Sequence, residues 1–158
     1  MTSDVAVIRP AAGAADVAAA RELFLDYASA LNFSLCFQGF DEELATLPGA
    51  YTPPRGGILL AVECGRAVGV VAFRPLAADT CEMKRLYVRP EARGTGIGRR
   101  LAAAVLVAAR EAGHRTMRLD THESMQAAVA LYRGLGFAEI PAYYDNPLDG
   151  IRYFERAL

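Results

Sequence analysis

Apolar and polar positions run along this chain in two rhythms, and the switches between them mark the elements. Val5 to Arg9 reads as a short first strand and stops at Pro10, whose missing N–H cannot serve a ladder. From Asp16 to Leu31 the period lengthens. Val17, Ala20, Leu23, Phe24, Tyr27 and Leu31 recur at helical spacing and predict an amphipathic helix. Asn32 to Phe40 follows neither rhythm and is rich in aromatics. Asp41 then reads as the N-cap of a short helix through Leu47, with Glu42 and Glu43 in its first turn. Pro48 to Gly57, with three prolines and three glycines, reads as loop.

Ile58 to Glu63 and Ala67 to Phe73 are apolar runs joined by Gly65-Arg66, a spacing that predicts a hairpin. A connection at Pro75 to Asp79 leads into a third strand, Glu82 to Val88, which completes a meander. A long helix comes next, with Ile97, Leu101, Ala104, Val105, Ala108 and Ala112 on one stripe and Gly113 at its end. Arg115 to Asp120 reads as a strand. Ser124 reads as the cap of a helix from Met125 to about Leu135, and Phe137 to Ile140 and Ile151 to Arg156 as two final strands. The turn-rich stretch Pro141 to Gly150 lies between them. The order β-α-α-β-β-β-α-β-α-β-β is mixed α/β. At 158 residues, with no internal repeat and no linker, one domain spanning 1–158 is expected.

Composition narrows the chemistry only slightly. A net charge of −1 makes nucleic acid or an anionic membrane a poor partner. Six of the 17 basic residues nevertheless fall between Lys84 and Arg100, a cluster that suits a small polyanion, or else a solvated basic face. Cys36, Cys64 and Cys81 follow neither metal-ligand nor disulfide spacing, so no metal and a reducing cytoplasm are expected. The longest apolar run, Leu101 to Ala109, is nine residues, too short to span a bilayer, and no signal peptide is visible before Arg9.

The informative stretch is 80–100. A strand ends at Pro90, and Arg93-Gly94-Thr95-Gly96-Ile97-Gly98 runs straight into the long helix. Strand, glycine turn and helix start together make an anion site, because glycine allows close backbone approach and the first helical N–H groups point outward. A Walker A loop is excluded, since no Gly-x-x-x-x-Gly-Lys run exists. A dinucleotide fingerprint fails as well: from Gly94 its last glycine falls on Arg99, and from Gly96 on Leu101. What remains, Arg93-x-x-Gly96-x-Gly98, resembles the pyrophosphate-binding signature of the GNAT superfamily of N-acetyltransferases. Two further features strengthen the resemblance: the Glu82-x-x-x-Leu86-x-Val88 strand before the turn, and Tyr132 in Leu-Tyr-Arg-Gly-Leu-Gly-Phe, 38 residues after Gly94.

The resemblance implies an α/β, GNAT-type (acyl-CoA N-acyltransferase) fold. Its central sheet is mixed and mostly antiparallel, flanked by helices, with strands four and five, here Cys81–Arg89 and Arg115–Thr121, splayed around acetyl-CoA. It implies transfer of an acetyl group to a primary amine of a small molecule or peptide in a ternary complex. Such chemistry needs a proton acceptor for the amine, a polarised carbonyl and a proton for the leaving thiolate. Glu82 is the candidate base, or else only a partner for a neighbouring cation. Tyr132 is the candidate acid, or else a core tyrosine. Main-chain groups of Leu86, Tyr87 and Val88 are expected to meet the thioester arm. Those of Arg93, Gly94, Thr95, Gly96, Ile97, Gly98 and Arg99 are expected to meet the pyrophosphate, and Arg89 or Arg100 is a weak candidate for the ribose phosphate.

Phe37, Gln38, Tyr143 and Tyr144, with Phe33 and Phe40, are the expected lining of the acceptor pocket, unless they simply close the core. His122, after the fifth strand, is either a base or a surface residue, and His114 reads as a partner for a helix dipole. One departure stands out: seven residues before the tyrosine, where the family commonly has an asparagine, this chain has Met125. It motivates a competing assignment as a non-catalytic acyl-CoA-binding sensor. Dimers are common in the superfamily, so a homodimer is a possible assembly.

Overall fold

The computed structural model describes residues 5–31, 34–35 and 39–158. Among these, four α-helices and seven strands occur in the predicted order: β1 Val7–Pro10, α1 Gly13–Ala30, α2 Phe40–Ala45, β2 Gly57–Glu63, β3 Arg66–Pro75, β4 Thr80–Val88, α3 Ile97–Glu111, β5 Thr116–His122, α4 Gln126–Gly134, β6 Ala138–Ile140 and β7 Ile151–Ala157. Several boundaries differ from expectation for local reasons. The hairpin turn is Cys64-Gly65, not Gly65-Arg66. Both residues have positive φ (51° and 75°), the conformation that matches strand twist, and Glu63 therefore faces Arg66. Helix α2 begins at Phe40 from a left-handed Gly39, so Asp41 is inside its first turn. Met125, not Ser124, occupies the N-cap of α4, and it makes no side-chain cap bond.

The strands form one sheet in the order β1-β2-β3-β4-β5-β7-β6. Every neighbouring pair is antiparallel except β4 and β5, which are parallel. Both faces of the central strands are covered, which is why their sequences read as nearly continuous apolar runs. Val70 and Ala72 point into a core with Leu23, Phe24 and Leu60 beneath α1. Val71 and Phe73 point into a second core with Leu101, Val105, Met117 and Phe154 beneath α3. On α3 the fully buried positions are Leu101, Ala102, Val105 and Ala109, whereas Ala104, Ala108 and Ala112 are only partly covered, so the buried stripe is rotated from the expected one. Helix α3 sits low on the sheet at Gly69, where a Cβ would lie 2.9 Å from Leu101 Cδ1.

Two irregularities of β4 open the sheet at its centre. Lys84 faces Ala72 and Tyr87 faces Val70, so Arg85 and Leu86 together oppose Val71 in a bulge. Arg85 takes the strain, with φ at 63°. On the other edge, the β4–β5 ladder has only three pairs: Thr80 with Thr116, Cys81 with Met117 and Glu82 with Arg118. Beyond Glu82 the strands part.

Candidate active site

The turn after β4 presents a row of backbone donors. Gly94 and Gly96 have φ of 83° and 81°, and Gly96 is the left-handed N-cap of α3. The first bond from this region is made by Arg100 N–H to Gly96 O at 3.0 Å. Among the described residues, none of the amides from 94 to 99 donates to a protein acceptor. Buried polar groups are almost always paired, but here the amides lie at an exposed helix start, where the dipole favours an anion. Thr95 turns its hydroxyl inward to Ala92 O at 2.9 Å. A Cβ at Gly94 or Gly96 would meet nothing within 4 Å, so the approach is open.

A cavity of about 750 Å³ opens there, walled by Gly94, Gly96, Ile97 and Gly98 of the turn and by Leu86, Tyr87, Val88 and Arg93. Residues 124–128 at the start of α4 close its far side. Arg89 N–H donates to Val68 O on β3, so strand alternation turns the main-chain groups of Val88 toward the gap. Arg93 Nε donates to Val88 O at 2.9 Å, and its guanidinium lies 5.6 Å from the Tyr87 ring centre. Acceptor-free amides at one end and apolar walls behind them suit a ligand with a diphosphate and a long thin arm.

Where β4 and β5 part, a smaller space of about 70 Å³ is lined by Met83, Lys84, Asp120, Thr121, Met125 and Tyr132, among others. It shares Tyr27, Leu86, Met125 and Ala128 with the larger cavity, so the two are contiguous in their walls. Tyr132 is 7% exposed and packs edge-on to Phe137 at 5.8 Å. Burial, with Tyr27 and Asp120 adding to it, pushes its phenol well above the usual range, so the group stays protonated at neutral pH. Among the described residues no hydrogen bond engages its hydroxyl.

A third space of about 320 Å³ lies on the other side of the gap, lined by Arg74, Leu76, Glu82, Lys84, Tyr143, Tyr144 and Asp145. Glu82 is 2% exposed. Its Oε1 accepts from Arg74 Nε at 3.0 Å, its Oε2 accepts from the Tyr143 hydroxyl at 2.5 Å, and Lys84 Nζ is 3.8 Å from Oε1. Tyr144 donates to Asp120 and accepts from Asn146 Nδ2 at 2.9 Å. The adjacent tyrosines of the 141–150 loop thus tie β4 to β5 across their divergence. Burial and then the facing carboxylates push both phenols up.

The turn with Leu86, Tyr87 and Val88 walls the first space, Tyr132 the second, and Glu82, Tyr143 and Tyr144 the third, with Lys84 common to the second and third. Phe33, Phe37 and Gln38 fall outside the described residues, as does Cys36. Phe40 belongs to the core beneath α1, 5.1 Å below the Arg85 guanidinium. The basic cluster is not a polyanion patch, because most of its members are engaged within the fold. Arg85 makes a two-pronged pair with Glu43 at 3.0 Å, Arg89 reaches Asp26 at 2.7 Å and Glu22 at 3.4 Å, and Arg100 donates to Ala6 O at 2.6 Å. Arg89 and Arg100 are thereby committed elsewhere than at a ribose phosphate. Arg93 and Arg99 remain exposed at the turn.

His114 is no dipole partner. It is buried, its Nε2 donates to Arg55 O at 2.8 Å, and Arg55 Nη2 lies 3.4 Å from its Nδ1. His122 holds the next turn, with Nδ1 2.7 Å from Ser124 Oγ and 3.1 Å from the Ser124 amide. Met125 occupies the wall between the two cofactor-side spaces, and Thr121 Oγ1 donates to its sulfur at 3.7 Å. Sequence reasoning misses Arg74, Lys84 and Asp120 as site residues. Alternation from Glu82 is the available signal for Lys84, since residues two apart share a strand face. Among the described residues no cluster of metal ligands occurs, and no helix is long and apolar enough to cross a membrane.

A mixed sheet split between two parallel strands, with an acceptor-free amide row at the mouth of the split, defines the acyl-CoA N-acyltransferase architecture. The model of the Acetyltransferase (GNAT) family matches residues 19–137, and the chain belongs to that family. It is 40% identical over 133 residues to an uncharacterized N-acetyltransferase of Schizosaccharomyces pombe, covering 83% of this chain and 82% of that one. A Streptococcus agalactiae acetyltransferase structure superposes with a TM-score of 0.77 over 97% of this chain and 98% of its own, at 19% identity. The yncA protein of Salmonella typhimurium, solved with its cofactor acetyl-CoA, superposes with a TM-score of 0.74 over 98% and 94% of the two chains, at 22% identity.

Proposed function

We propose that the chain, acting as one catalytic domain over 1–158, moves an acetyl group from acetyl-CoA to a primary amine by direct transfer in a ternary complex. The observation that carries this is the acceptor-free amide row of 94–99 beside a cavity whose walls adjoin the gap between β4 and β5. From there the route runs past Tyr132 in the gap between β4 and β5 to the space at Glu82, with Lys84 common to the walls of the last two. The turn residues would hold the diphosphate, and the Leu86–Val88 backbone would hold the arm and polarise the thioester carbonyl. A free alkylamine is mostly protonated at pH 7, so a base is needed. Glu82 takes that proton, with Tyr143 yielding its place on Oε2 as the amine enters. Tyr132, held protonated by burial, gives its proton to the leaving thiolate. Tyr143 and Tyr144 wall the acceptor side, and Phe37 and Gln38 are proposed to complete it.

Calorimetric titration with acetyl-CoA and steady-state rates on an amine panel test the assignment together. Tyr132→Phe is expected to lower kcat by about 10²-fold while the Kd for acetyl-CoA changes less than about threefold. Equal losses in both would assign Tyr132 to packing. Tight binding without turnover on any amine would favour a cofactor sensor.

A further inference from the structure

This chain contains a single lysine. Of its 17 basic residues 16 are arginine, and the remaining one is Lys84. That amine is not on the surface, where lysine is ordinarily found. It is 6% exposed, on the same face of β4 as Glu82 and two residues past it, where the β4–β5 ladder has ended. Among the described residues it alone lines both the gap that holds Tyr132 and the acceptor-side space that holds Glu82. It therefore stands between those two spaces, at the neck of the route proposed above.

We propose that Lys84 is itself an acylation site: acetyl-CoA bound along the amide row acetylates the Lys84 amine of the same molecule, and the acetyl-lysine obstructs the neck. The proposal rests on the acetyl-CoA assignment above. In the step, Lys84 Nζ attacks the thioester carbonyl carbon, an N–C bond forms and the C–S bond breaks. The nitrogen gives up one proton, the thiolate gains one, and the products are CoA thiol and an amide, with no oxidant or further reactant. A nucleophilic amine must be neutral, and here burial lowers its proton affinity, opposed by Glu82 and assisted by the neighbouring Arg85. Glu82 Oε1, at 3.8 Å, is placed to take the proton released. Acetylation removes the positive charge and lengthens the side chain within a space of about 70 Å³.

The test uses the full chain and deuterium-labelled acetyl-CoA, read by intact mass and by peptide mapping. One label per chain on Lys84 is expected, at a rate that saturates with acetyl-CoA, falls with excess CoA and does not change with protein concentration. Lys84→Arg should carry no label at that peptide while still binding CoA by calorimetry. Binding without label on Lys84 overturns the proposal and leaves the acetyl-CoA assignment standing. Label that rises linearly with acetyl-CoA and ignores CoA overturns it too, since that is uncatalysed acylation. Absence of CoA binding in the same sample removes the assignment and the proposal with it.

Discussion

Gly96→Ala is the sharpest perturbation of the amide row, because its effect has a single origin. Gly96 is at φ 81°, and a Cβ built there meets no atom within 4 Å, so alanine introduces no clash. What it introduces is the left-handed penalty for a residue with a Cβ, about 1–2 kcal/mol. The turn is exposed, so it can relieve that strain by relaxing locally, which swings the neighbouring amides out of line. A ligand that needs them aligned must then restore the conformation. At about 1.4 kcal/mol per tenfold, the Kd for CoA should rise about 5- to 30-fold while the melting temperature of the free protein hardly moves. Asparagine tolerates this conformation, so Gly96→Asn should recover most of the affinity. Calorimetry with CoA against wild type, Gly96→Ala and Gly96→Asn is the assay. An unchanged Kd in Gly96→Ala would refute the claim that these amides hold the diphosphate.

Two further predictions concern the frame around the site. Arg85→Ala strands Glu43 in a mostly buried position, since the two side chains are 2% and 14% exposed, and breaking such a pair costs about 3–5 kcal/mol. Thermal denaturation should show a fall of about 6–20 °C, and a shift near zero would mean that the pair is solvated. Asp16 accepts from Arg9 and from the Ala12 amide, which hold its carboxyl at about 2 against an ordinary 3.8. The unfolded chain therefore binds a proton at this site before the folded chain does, and stability drops as pH falls from about 4 to 2. Asp16→Asn should flatten that part of the urea-midpoint profile, and an unaltered acid limb would show that the pair contributes nothing there.

Element order and the glycine turn are legible in the sequence because each rests on a local period or spacing, whereas Glu82 and Tyr132 are reached only through the family resemblance. Charge partners are not. Arg85 lies in a run of basic residues and reads as part of an anion site, yet the bulge at Arg85 and Leu86 redirects it to Glu43, 42 residues away. Likewise Tyr143 and Tyr144 line a space as the sequence suggests, but that their hydroxyls engage Glu82 and Asp120 on two diverging strands is not legible there. Such contacts depend on which strands become neighbours, and periodicity along one strand carries no information about that. Spacing misplaces the Cys64-Gly65 turn by one residue because it assigns the glycine to the first turn position, where the chain puts Cys64 at positive φ.

Hydrogen exchange of the backbone amides with and without CoA tests the central claim most directly. Saturating CoA should slow exchange at residues 94–99, whose amides have no protein acceptor among the described residues, and at Val88 on the edge of the gap. Protection confined to other segments, with 94–99 exchanging as fast as in the free protein, would contradict it.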